Sequence, residues 1–116
     1  RITVHLETTP LDDDNVTVTV RVIDFGIGIS QNDQNRLFSA YFRSTDEKSR
    51  ALNANSHGIG LSFCKKISIA LKGELTCLSQ QGCGSEFTFS FPAKIAPKVS
   101  QINVLIIFVG CQATDF

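Results

Sequence analysis

A chain of 116 residues with 42% hydrophobic and 19% charged residues has the make-up of one small globular domain rather than of a disordered chain. Its 11 basic residues balance its 11 acidic ones. No basic field is available to hold nucleic acid or an anionic membrane by charge alone, so any phosphate has to be bound locally, by backbone amides and a few cations.

The chain opens on Arg-Ile-Thr-Val with no initiator methionine and no signal peptide, and reads as a fragment of something longer. Ile2, Val4 and Leu6 alternate with Thr3, His5 and Glu7, the pattern of a strand with one buried face. A polar turn at Asp12-Asp13-Asp14-Asn15 separates it from a second alternating strand carrying Val16, Val18, Val20 and Val22, and the short connection predicts an antiparallel hairpin. After Asp24 the pattern breaks into a glycine turn, and Ser30 or Asn32 is placed to cap a short helix reaching about Phe38. Phe42 to Ser56 is polar and charged without a sustained period, about fifteen residues of the length typical of a functional flap or a disordered segment.

From Gly58 to Leu71 the period becomes helical. Gly60, Phe63, Cys64, Ile67, Ala70 and Leu71 form one stripe, the expected buried face, with Lys65, Lys66 and Ser68 off it, and Gly73 sits where a helix-terminating glycine belongs. Two further strands follow, Glu74–Ser79 and Ser85–Phe91, joined by a hairpin loop, with Phe87, Phe89 and Phe91 on one face. The fold class expected is α/β: a two-layer sandwich of a mixed, mostly antiparallel sheet with helices on one face. Residues 1–92 form the domain, and 93–116 a tail or linker. The apolar run Ile102–Val109 is far shorter than the roughly 20 residues of a membrane-spanning helix and reads as a buried strand. Cys64, Cys77, Cys83 and Cys111 lack metal-type pair spacing and read as free thiols in a reducing compartment, with a Cys77–Cys83 approach across the hairpin left open.

Two glycine clusters carry the chemistry. In Asp24-Phe25-Gly26-Ile27-Gly28-Ile29, a carboxylate at a strand end can accept a hydrogen bond from an exocyclic amine such as that of adenine, and the glycines let the backbone bend and a flat ring approach. Gly58-Ile59-Gly60-Leu61 opens the long helix, where free amides and the positive end of the dipole suit phosphate oxygens. Each cluster alone is more often a structural turn; their order, with a flap-length loop between them, raises the signal. The triplet Asp24-Phe25-Gly26 also spells a metal-binding motif of serine/threonine and tyrosine kinases, but the His-Arg-Asp and Ala-Pro-Glu motifs those enzymes need are missing from this chain.

Taken together these motifs resemble the nucleotide-binding domain shared by histidine kinases, type II topoisomerases, mismatch-repair ATPases and a heat-shock chaperone (the Bergerat ATP-binding fold). Asp24, Gly26, Gly28 and Ile29 match its first glycine box, Asp-x-Gly-x-Gly-Ile. Leu37-Phe38-Ser39-Ala40-Tyr41-Phe42-Arg43 is similar to the phenylalanine box of histidine kinases, Gly58-Ile59-Gly60-Leu61-Ser62 to their second glycine box, and Gly82, Gly84-Ser85-Glu86-Phe87 to their closing hairpin. The resemblance implies that Asp24 accepts the adenine amine, Gly26 and Gly28 shape the pocket, Ile29 and Leu61 line it, Phe38 and Phe42 anchor the base of the flap, and Gly58 and Gly60 present amides to the triphosphate. It implies ATP as ligand, with magnesium in the intact enzyme. The implied partners are a dimerisation and phosphoacceptor domain of the same kinase and a response-regulator receiver domain, with no nucleic acid, at the cytoplasmic face or in the cytosol.

Two departures qualify this. The family's second glycine box usually starts one glycine earlier, at positions that here hold Ser56 and His57, and the family's asparagine-rich helix ahead of the first strand is not in the sequence, so no catalytic residue and no metal ligand is assigned. The expected function is the ATP-binding part of a sensor histidine kinase, incomplete and inactive alone, that serves phosphoryl transfer to a histidine. The alternative is a degenerate, non-catalytic docking module. Val104-Leu105-Ile106-Ile107 is weakly similar to the opening strand of a receiver domain, a second reading of the tail.

Overall fold

The computed structural model describes residues 1–40 and 60–96. The flap-length segment from Phe42, the leading part of the second glycine box and the tail from residue 97 onward lie outside them. Strand β1 (Ile2–Pro10) and strand β2 (Asn15–Asp24) form the expected hairpin; a short helix α1 (Gln31–Gln34), a longer helix α2 (Gly60–Ala70), strand β3 (Glu74–Gln80) and strand β4 (Gly84–Lys94) follow. The sheet order is β1-β2-β4-β3, and every neighbouring pair is antiparallel.

Residues directly opposite in antiparallel strands share a face, so the register lays out the apolar face of the sheet row by row. Leu6, Val20, Phe89 and Leu75 form one row; Val4, Val22, Phe87 and Cys77 form the next; Ile2, Asp24, Ser85 and Ser79 form the last. The other face carries Thr19, Arg21, Thr88, Ser90 and Thr76, in keeping with the one wet face an antiparallel sheet tolerates. Phe89 and Phe91, two residues apart on β4, stack with ring centroids 4.9 Å apart.

The β1–β2 turn is held by Asp12, whose Oδ1 accepts from the backbone N–H groups of Asp14 and Asn15 at 2.9 Å each. The Asp14 N–H is the main reason the Asp12 carboxyl sits below its usual pKa. Strand β4 continues through Pro92 to Lys94, past its expected end at Phe91. β3 begins at Glu74, opposite Ser90, so β4 has a neighbour on one side only at Pro92, the edge-like setting in which proline is tolerated.

Helix α2 turns a different face to the sheet from the one its apolar stripe predicts. Ser68 is fully buried and Leu61 and Lys65 are half-buried, whereas Phe63, Ile67 and Leu71 are exposed, Phe63 to 63%. At the helix end the Gly73 N–H donates to the Ser68 carbonyl at 2.8 Å and the Lys72 N–H to the Ile69 carbonyl at 3.0 Å, a Schellman closure. The Ser68 hydroxyl is satisfied within the helix by donating to the Lys65 carbonyl at 2.7 Å.

The left-handed residue of this closure is Lys72, with φ 58°, and not the expected Gly73. Gly73 is required for another reason: a Cβ there would lie 2.1 Å from the Ser90 carbonyl oxygen. Lys72→Gly should therefore stabilise the fold, by about 1 kcal/mol, through relief of the left-handed cost. Gly73→Ala should destabilise it by more than that; the two shifts in opposite directions are read in a urea unfolding titration.

Candidate functional site

The site starts from the last core row. Asp24 ends β2 beside Ser85, which pairs in turn with Ser79. Beyond Asp24 the chain leaves the sheet, and the Gly26 N–H turns back to donate to Asp24 Oδ1 at 2.9 Å. The second carboxylate oxygen takes no bond from the described residues. Phe25 is exposed, with the Arg1 guanidinium 5.8 Å from its ring centroid.

The first glycine segment then docks on the β3–β4 hairpin. Gly28 has φ 72°, and a Cβ on it would lie 2.1 Å from the Gln80 carbonyl oxygen. This glycine is therefore demanded by the hairpin beneath it, a need distinct from the ring clearance read in the sequence. Gly84, with φ 122°, meets the same segment from the other side: its Cβ would fall 2.1 Å from the Asp24 carbonyl oxygen. The Gly82 N–H donates to the Ile27 carbonyl at 2.7 Å and closes the contact.

Ser79 is the hub of this junction, and it was not singled out from the sequence. Its hydroxyl accepts from the Ile29 N–H at 2.8 Å, donates to the Gly84 carbonyl at 2.8 Å, and bonds the Ser85 hydroxyl at 2.8 Å. One donor and two acceptor sites are the full capacity of a hydroxyl, so Ser85 is the donor in the third bond. Gln34 adds a second tie, its side-chain amide donating to the Ile29 carbonyl at 2.8 Å and to the Ser79 carbonyl at 3.0 Å. Ser30 caps α1, its Oγ accepting from the Asp33 N–H at 3.2 Å, and so fixes the helix that carries Gln34.

Phe38 is half-buried directly after the buried Leu37, and the Lys65 ammonium of α2 lies 5.3 Å from its ring centroid. Gly60 is the first residue of α2, and a Cβ on it would meet nothing within 4 Å. Leu61 is half-buried behind it. Phe42 and Gly58 lie outside the described residues. Asp24, Gly26, Gly28 and Ile29 are thus brought together on the hairpin, while Phe38 is joined to α2 through Lys65. The groove bordered by Thr17, Lys72, Glu74 and Pro92 lies at the other end of β2 from Asp24. Thr17 is seven residues up β2 from Asp24, about 23 Å away at the rise of a strand.

Cys77 faces the same side as Asp24, one row away. Burial, helped by the Asp24 charge, pushes its thiol up to about 11. Cys64, Cys77 and Cys83 are all free thiols, and Cys77 and Cys83 make no bridge. Among the described residues no group of three or more His, Cys, Asp or Glu is placed to hold a metal ion, and no helix is long and apolar enough to cross a membrane.

Residues 1–95 match the family of histidine kinase-, DNA gyrase B- and HSP90-like ATPases, and the chain belongs to it. Among curated proteins it is 29% identical over 93 residues to the sensor protein EvgS of Escherichia coli K12, which covers 80% of this chain and 7% of that protein. It is 37% identical over 78 residues to the sensor-like histidine kinase SenX3 of Mycobacterium tuberculosis H37Rv, covering 67% of this chain and 18% of SenX3. The chain therefore spans a small part of the relatives it matches. Full-length ShkA in complex with AMPPNP superposes with a TM-score of 0.54 at 25% identity, over 83% of this chain and 18% of ShkA. The mycobacterial sensor histidine kinase MprB, at 20% identity, shares the fold with a TM-score of 0.54, over 78% of this chain and 59% of that one.

Two outcomes are expected from the junction and its thiol. Ser79→Ala leaves the Ile29 N–H and the Gly84 carbonyl without their partner and should cost about 1–3 kcal/mol of stability in urea unfolding. Cys77 is protonated at neutral pH, so brief alkylation should label exposed Cys64 and Cys83 well before it, as read by peptide mass mapping. Because its folded pKa is raised, the contribution of Cys77 to stability is complete below about pH 9 and is lost as pH rises toward 11. Cys77→Ser should blunt that alkaline loss.

Proposed function

We propose that this chain is the ATP-binding part of a sensor histidine kinase and holds ATP so that a histidine on another domain of the same protein attacks the γ-phosphate. The observation that carries this reading is the Asp24 carboxylate: one oxygen is tied to the Gly26 amide and the other is left for an outside donor, at the edge of the segment that matches the first glycine box. An exocyclic adenine amine is such a donor. Gly26 and Gly28 form the bend around it, and Ile29, held by the Ser79 hydroxyl, supplies a wall.

The triphosphate end falls to the start of α2, where Gly58 and Gly60 offer amides with Leu61 behind them. The short turn from α2 into β3 reverses the chain, which directs Gly60 toward the end of the sheet that carries Ser79 and Asp24. Open space around Gly60 and the positive end of the helix dipole suit phosphate oxygens. Phe38 and Phe42 would anchor the base of the flap-length segment that leads to the second glycine cluster. Magnesium would arrive with the triphosphate, and no residue of this chain is assigned to it.

The reaction needs little covalent work from such a domain; positioning and neutralisation of phosphate charge carry it. The phosphoacceptor and dimerisation domain and a receiver domain are the proposed partners. The kinase relatives favour this catalytic role over a degenerate, non-catalytic nucleotide-binding or docking module.

Asp24→Asn should weaken ATP at least tenfold, about the worth of a hydrogen bond to a charged group, in a ligand titration followed by NMR, with the unfolding midpoint little changed. An unaltered ATP affinity would remove Asp24 from the adenine site.

A further inference from the structure

Lys65 stands on the sheet-facing side of α2, in a stripe with Leu61 and Ser68 at helical spacing, while Phe63, Cys64, Lys66 and Ile67 around it are exposed. Drawing a lysine toward a packed face is unfavourable unless its ammonium is engaged. Here it has two partners: Nζ donates to the Leu75 carbonyl at 3.0 Å, and it lies 5.3 Å from the Phe38 ring centroid. Leu75 belongs to β3, the last strand of the sheet order, so the ammonium also satisfies a carbonyl along the sheet's edge. Neither partner carries a charge, so neither neutralises the lysine; both orient it. The ring face attracts a cation, and the carbonyl fixes where that cation sits.

We propose that Lys65 is a positioning residue for nucleotide binding, acting by pinning Phe38 against α2. Phe38 precedes residues 41–59 and α2 follows them directly, so the Lys65–Phe38 contact joins the two sides of the stretch. The phosphate-facing start of α2 is thereby held to the sheet and to Phe38, while the adenine end is held separately by Ser79 and Gln34. Lys65 touches no ligand atom in this role. The inference rests on the functional reading above.

The test is a pair of NMR titrations of the labelled 116-residue chain, one with ATP and one with adenosine, carried to millimolar ligand, for Lys65→Met, Lys65→Arg and the neighbouring Lys66→Met. Lys65→Met should weaken ATP roughly five- to tenfold, the combined worth of one cation–π contact and one hydrogen bond, and leave adenosine within about twofold. Lys65→Arg, which can also donate and stack, should stay close to the unmodified chain, as should Lys66→Met. The Phe38 ring resonances should shift in Lys65→Met only. Equal ATP affinity in Lys65→Met, or equal weakening of ATP and adenosine, overturns the positioning role. Failure of the unmodified chain to bind ATP overturns the functional reading and takes this inference with it.

Discussion

The close backbone approach between the first glycine segment and the β3–β4 hairpin is the constraint on which the site depends. Gly28 lies against the Gln80 carbonyl and Gly84 against the Asp24 carbonyl, each at a distance that no Cβ tolerates. Two stretches about fifty residues apart in sequence are thereby locked at backbone level, with no side chain between them to adjust. Carbonyls and amides brought so close must find partners, and the Ser79 hydroxyl, the Gln34 amide and the Gly82 N–H supply them. The position of Asp24 follows from this junction as much as from its own strand.

That dependence is sharper because the hydrophobic core is thin. Among the described residues only Leu37 and Leu75 are buried apolar side chains, while Asp33, Ser68 and Ser85 are buried polar ones. Ile2, Val4 and Leu6 on β1 and Phe63, Ile67 and Leu71 on α2 stay exposed. A small domain that buries so little apolar area has a narrow margin, and the polar junction carries a larger share of its order than in a well-filled sandwich. Loss of one hydroxyl at position 79 then disturbs the fold and the site together.

All four strands could be read from sequence because period-2 alternation survives with little tertiary help: the valines of β2 and the phenylalanines of β4 fall on one face as their spacing requires. The helix was legible in extent but not in orientation. Its apolar stripe states which residues are hydrophobic, whereas the face against the sheet holds the buried Ser68 and the half-buried Lys65. A left-handed lysine beside a glycine is a choice that propensity reverses, since glycine reaches that conformation more cheaply. The glycine was spent instead on clearance from Ser90. Ser79 escaped notice because a serine in an alternating strand gives no sign of sitting under a bend fifty residues earlier. The row it shares with Ser85 and Asp24 would have pointed to it, once the register of three strands was fixed.

The two halves of the site are therefore secured by different physics. Around Asp24, backbone proximity and a saturated hydroxyl leave few alternative arrangements, which suits recognition of a flat, neutral base whose hydrogen-bonding edge tolerates little displacement. Around α2, the contacts among the described residues include a capped helix end and a lysine on a carbonyl and a ring, which are easier to remake. A chain without net charge cannot gather a triphosphate by its overall field. On the functional reading proposed above, it has to present amides locally at a helix start, beside a base-binding half fixed at backbone level.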